Sequence, residues 1–101
     1  MDFVMATAVD THFIAVIHKD PESGYGVSFP DLPGIIAVAD TLDAALDEAG
    51  VALSFALEDW QGPRPLPRTL EELRAEPWFR EETRDAVVAA VRPQPHRIAA
   101  Q

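Results

Sequence analysis

Residues 12–19 (HFIAVIHK) have apolar side chains on both alternating faces, with Phe13, Ala15 and Ile17 on one and Ile14 and Val16 on the other. A β-branched run with no polar face predicts a central strand covered on both sides. Asp20-Pro21-Glu22-Ser23-Gly24 then gathers turn-forming residues, and residues 25–29 resume the alternation with Tyr25, Val27 and Phe29 against Gly26 and Ser28. This is the pattern of a hairpin. Pro30 stops the second strand, and Leu32-Pro33-Gly34-Ile35 has proline and glycine where a type II turn needs them. The apolar residues 35–39 follow as a third antiparallel strand.

From Leu42 the period changes. Leu42, Leu46, Ala49, Leu53, Leu57 and Trp60 recur at steps of three and four, with Asp43, Asp47, Glu48, Ser54 and Glu58 on the other side. The spacing predicts an amphipathic helix of about five turns, capped by Thr41 and ended by Gln61-Gly62-Pro63. Gly50 inside it costs ~1 kcal/mol relative to alanine, which close packing against the sheet would justify. Pro63, Pro65 and Pro67 make 62–68 an extended connector. Thr69-Leu70-Glu71-Glu72 is a capping-box pattern opening a helix of about two turns, which Pro77 cannot prolong. Trp78-Phe79, in a charged stretch, is read either as a staple onto the sheet or as a contact for a partner. Residues 86–91 (AVVAAV) are equally compatible with helix and strand. Pro93 and Pro95 leave a tail without core-forming pattern, and both chain ends are expected to be mobile.

The 101 residues suffice for one small domain, which hides roughly 60 to 70% of its unfolded surface. There is no cysteine, which excludes disulfides, thiol nucleophiles and cysteine-held metals. No apolar run approaches the ~20 residues that span a bilayer, and the N-terminal MDFVMATAVD carries two acids and no base, unlike a signal peptide. A cytoplasmic protein without membrane contact is expected. The net charge of −9 is unevenly spread: residues 1–60 hold eleven acids and one base, Lys19, whereas residues 61–101 hold six acids and seven arginines. Such an acidic body repels phosphates and attracts basic proteins.

Candidate chemistry is sparse. Ser23, Ser28 and Ser54 fall on a turn, a strand and a helix, and none lies in a G-x-S-x-G elbow. His12 and His18 share a strand face but stand about 20 Å apart, too far to share a metal, and His96 has no partner at helical spacing. A metal-dependent nuclease built on Asp20, Asp31, Asp40 and Glu48 is a third and catalytic reading. Three of these acids fall in turns or at element ends, where aspartate serves the backbone. No catalytic residue, metal or cofactor is therefore assigned. Among the aromatics, Tyr25, Phe29 and Trp60 fall on the face assigned to the core.

The run Tyr25-Gly26-Val27-Ser28-Phe29-Pro30-Asp31-Leu32-Pro33-Gly34, followed by Ala39-Asp40-Thr41-Leu42-Asp43-Ala44-Ala45-Leu46, resembles the N-terminal domain of HicB-type antitoxins. The resemblance covers residues 12 to about 92 and includes the proline-rich connector and the Thr69-Leu70-Glu71-Glu72-Leu73 helix. One departure is Ala44, where the family often has an acid completing a capping box. The resemblance implies an α+β fold, a βββαβ partial RNase H-like sheet of strand order 3-2-1-4 with one long helix packed across it and 86–91 as its last strand. It divides the chain into an N-terminal segment 1–11, an antitoxin domain 12–92 and a tail 93–101.

It further implies a non-enzymatic antitoxin that occludes a small basic HicA-like ribonuclease toxin. The alternative is an orphan HicB-like domain acting as oligomeric scaffold or regulator. Repression by the family normally requires a C-terminal DNA-binding module, for which the ten residues after Val91 leave no room, so no direct nucleic acid binding by this chain alone is expected. A sheet with an open edge calls for a homodimer or larger assembly. For partner binding, Asp20, Glu22 and Asp31 are the expected steering charges, and Tyr25 and Leu32 the expected anchors.

Overall fold

In the computed structural model, residues 11–94 are described, and the expectations for segment 1–10 and for residues 95–101 of the tail lie outside them. The two-faced apolar run forms β1 (Phe13–Lys19), which pairs antiparallel with both β2 (Tyr25–Ser28) and β4 (Val87–Val91). With β3 (Ile36–Ala39) beside β2, the sheet order is β3-β2-β1-β4, and β1 is central. Residues 86–91, undecided on propensity, are thus drawn into a strand by β1. Val91 opposite Phe13 and Val87 opposite Ile17 set the register.

The turn before β3 follows the sequence closely. Gly34 has φ +99°, and Ile35 N donates to Leu32 O at 3.3 Å, the geometry of a type II turn whose third position favours glycine. The long helix α1 (Leu42–Glu58) starts at Thr41, whose Oγ1 accepts from Ala44 N at 3.1 Å. The cap therefore forms even though Ala44 supplies no reciprocal acid.

α1 lies across one face of the sheet. Phe13, Ala15 and Ile17 of β1, Val27, Phe29, Leu32 and Ala37 meet Ala45, Ala49, Leu53 and Leu57 there in one buried cluster. The buried stripe of α1 is rotated by about a residue from the expected one. Ala45 is fully buried, Leu46 only half-buried, and Ser54, expected on the solvent side, is buried. Trp60 is corrected more plainly. The helix ends at Glu58 with Asp59 as its C-cap, so Trp60 leaves the helical phase and stays 39% exposed, its indole donating to Pro63 O at 3.0 Å.

Gly50 needs its missing side chain, but against the chain after β4 and not against the sheet. A Cβ there would stand 2.6 Å from Gln94 Cγ and 3.2 Å from Arg92 O, and Gln94 N donates to Gly50 O at 2.9 Å. Residues 92–94 are thereby held on α1.

The β4–β1 part of the outer face of the sheet is covered by two short helices, α2 (Leu70–Arg74) and α3 (Pro77–Glu82). α2 has the complete capping box, with Thr69 Oγ1 accepting from Glu72 N at 3.1 Å and Glu72 Oε1 from Thr69 N at 2.8 Å, but it is a little over one turn, shorter than expected. Pro77 does not merely stop it: as the first residue of α3, where its missing N–H is no loss, it opens a helix that the sequence reading did not include. Leu73 and Phe79 descend from these helices onto Val16, with Ile14, Leu70, Ala86 and Val88 around them. Both faces of β1 are therefore buried.

Candidate partner-binding surface

The β1–β2 turn is tied by its own polar groups. Asp20 Oδ1 accepts from Glu22 N at 2.9 Å, and Asp20 N donates to Gly24 O at 2.9 Å. Lys19 reaches back over the turn, donating to Asp20 O and Ser23 O at 2.7 Å each, with its ammonium 5.6 Å from the centre of the Tyr25 ring. The single cation of the first 60 residues is thus held against the hairpin, and the exposed Asp20 and Glu22 carboxylates dominate that end. Tyr25 is half-buried at the margin of the α1-facing core.

The other two expected partner residues have structural work. Asp31 accepts from Arg68 N and Arg68 Nε, each at 2.7 Å, with its side chain only 11% exposed. This pair ties the β2–β3 turn to the end of the proline-rich connector. It leaves Asp31 little free charge with which to steer a partner. Leu32 is 1% exposed and belongs to the core; as an anchor it presents no surface, and its expected contact with a partner is corrected to a packing role. The Leu32-Pro33-Gly34 turn folds that side chain inward.

Residues absent from the sequence-based site are more prominent. Across β1, β2 and β3, Val16 opposes Ser28 and Ser28 opposes Ile36, while His18 opposes Gly26 and Gly26 opposes Val38. Directly opposed residues share a face, so Ile36 and Val38 lie on the outer face, alongside the strip that α2 and α3 cover. Yet they remain 62% and 69% exposed. Their alternation with Ala37 and Ala39 was a signal available in the sequence, but which of the two sets would be covered depended on where the short helices land.

Trp78 and Phe79 divide the two roles considered for them. Phe79 is buried on Val16, whereas Trp78 is half exposed, its ring edge-on to Phe79 and within 5.7 Å of the Arg68 guanidinium. His18 Nε2 stands 3.1 Å from Glu82 O, which fixes the end of α3 to the sheet. Among the described residues, no three histidine or carboxylate side chains converge where a metal could sit, and no helix is long and apolar enough to cross a membrane.

A family model described as the HicB_like antitoxin of bacterial toxin-antitoxin system matches residues 13–100. The crystal structure of the Burkholderia pseudomallei antitoxin HicB superposes with a TM-score of 0.64 at 31% identity, covering 85% of this chain and 70% of that one. The crystal structure of the N-terminal domain of the same antitoxin gives 0.63 at 33% identity, covering 79% of this chain and 94% of that one. A chain of the HicA3 and HicB3 toxin-antitoxin complex shares the fold, with a TM-score of 0.64 at 22% identity over 83% of this chain and 99% of that one. No curated protein matches significantly. The four-stranded sheet of order β3-β2-β1-β4 with its long helix is thus shared with these antitoxins, and the chain belongs to the HicB-like antitoxin family.

Proposed function

We propose that this protein is a non-enzymatic cytoplasmic antitoxin that binds a small basic HicA-like ribonuclease toxin and occludes its active face. Family membership carries the reading, and the HicA3 and HicB3 complex provides the precedent for such a pair. The charge distribution supports it physically. Eleven acids against one base in residues 1–60 attract a cationic protein and repel the nucleic acid on which such a toxin acts. Steering is assigned to Asp20 and Glu22 at the exposed hairpin end, and Tyr25 contributes its rim to the same end. Asp31 acts one step removed, by fixing the turn.

A homodimer or larger assembly is part of the proposal. β3 and β4 are the outer strands of the sheet, and such open edges are covered by partners or blunted by charge. Light scattering at micromolar concentration is expected to give a mass above that of one 11.1 kDa chain. The functional test is direct. A HicA-like toxin from the same genome, expressed in a bacterial host, arrests growth; co-expression of this chain is expected to restore it, and the two purified proteins to form a complex that abolishes RNA cleavage. Continued arrest, with no complex formed, would refute the antitoxin role.

A further inference from the structure

We propose that the uncovered half of the outer sheet face, between α3 and the β3 edge, is the groove in which a basic protein partner docks, with Ile36 and Val38 as its apolar anchors. This inference rests on the toxin-binding reading above and gives it a location. The floor of the groove is Gly26 and Ser28. A Cβ built on Gly26 would meet nothing within 4 Å, so that part of the sheet is open to an incoming side chain. Ile36 and Val38, 62% and 69% exposed, form one wall.

The opposite wall is α3, held in place by Phe79 on Val16 and by Glu82 O beside His18 Nε2. Half-exposed Trp78 stands at the α3 start, and the Asp31–Arg68 pair joins that neighbourhood to the β2–β3 turn. At the hairpin end the groove opens into a concavity of ≈490 Å³ lined by His18, Tyr25, Val38, Asp20 and Asp40 among others. Two adjacent exposed β-branched side chains on a strand with no charge and no proline are the kind of surface that folded chains cover with a partner.

Charge complementarity selects the partner. Asp20 and Asp40 lie at the mouth of the groove, and Lys19, which lines the same concavity, is committed to two hairpin carbonyls and the Tyr25 ring. A second copy of this chain would bring another net charge of −9 to the same mouth. A basic protein with an apolar ridge meets no such repulsion, and its cations complete the rim while the anchors exclude water.

The test measures binding of Val38→Asp, Ile36→Asp and Leu66→Asp variants to the HicA-like toxin by titration calorimetry. Leu66 is an equally apolar but remote exposed side chain, in the connector. All three are expected to keep the wild-type circular dichroism spectrum and melting temperature. V38D and I36D should weaken toxin binding by at least about thirtyfold, the loss typical of a central interface residue, while L66D stays within about threefold of wild type. If the wild-type chain binds the toxin and V38D and I36D bind it equally well, the groove is wrong and the antitoxin reading stands. Absence of wild-type binding overturns both. If V38D turns an oligomer into a monomer with toxin affinity unchanged, the groove belongs to a second copy and the proposal falls.

Discussion

Asp31 and Asp20, both acids in turns, take different roles through their surroundings. The Asp31 carboxylate is nearly buried and receives two N–H groups of Arg68, whereas the Asp20 carboxylate is exposed and, among the described residues, receives Glu22 N. Removing the Asp31 carboxylate leaves Arg68 N unpaired in a partly buried position. Asp31→Ala is accordingly expected to lower unfolding stability by about 1–3 kcal/mol, at the lower end because Arg68 is solvated. Asp20→Asn with Glu22→Gln keeps the turn's acceptor oxygen; it should leave the denaturation midpoint in place while slowing toxin association at low salt, measured by stopped flow. Gly24 is constrained by space. A Cβ there would stand 2.9 Å from the Ala39 carbonyl carbon and closer still to its oxygen, and this backbone can yield only by moving β3. Gly24→Ala should cost about 1–3 kcal/mol, as overpacking does, read by urea denaturation.

The elements differ in how they obtain their stability. α1 has seventeen residues, a side-chain cap and a buried stripe, and Leu53 at its centre is fully buried. Leu53→Ala is expected to destabilise the domain by roughly 2–5 kcal/mol, with a corresponding fall in denaturation midpoint. α2 and α3, at five and six residues, are too short to persist as isolated helices. They form because Leu73 and Phe79 find Val16. Phe79→Ala should therefore cost about 3–5 kcal/mol and open the outer face of β1, detectable as faster amide exchange in α2 and α3 than in α1. β4 is similarly dependent. Its alanines and valines choose no conformation alone, and five antiparallel pairings with β1 make the choice.

At the scale of the whole molecule, the charge asymmetry governs how a partner arrives and the groove governs how it stays. Field-driven encounter acts over a Debye length of ~10 Å at 0.1 M salt and shrinks as salt rises. Association with a HicA-like toxin is therefore expected to slow by tenfold or more, on the order of the steering effects known for charged pairs, between low and high salt. Dissociation should change much less, because buried apolar contacts resist screening. Duplex DNA, as control, should not bind. An on-rate independent of salt, or tight DNA binding, counts against electrostatic capture of a protein partner.

Local chemistry was legible in the sequence wherever a residue's role depends on near neighbours. Proline at 33 with glycine at 34 specifies a type II turn, Thr41 and the Thr69–Glu72 pair specify caps, and the alternating apolar faces of residues 12–19 specify a strand covered on both sides. Those signals act through a few bonds and hold in any fold. Tertiary structure decided the rest because it joins residues distant in sequence. It paired Asp31 with Arg68 and sank Leu32 into the core, removing both from the expected surface. It also laid Phe79 on Val16 and turned Pro77 from a stop into a start. Finally, because α2 and α3 cover only the β4–β1 half of the outer face, it left Ile36 and Val38 in solvent. Their exposure follows from where short helices end, a quantity that no periodicity in the chain encodes.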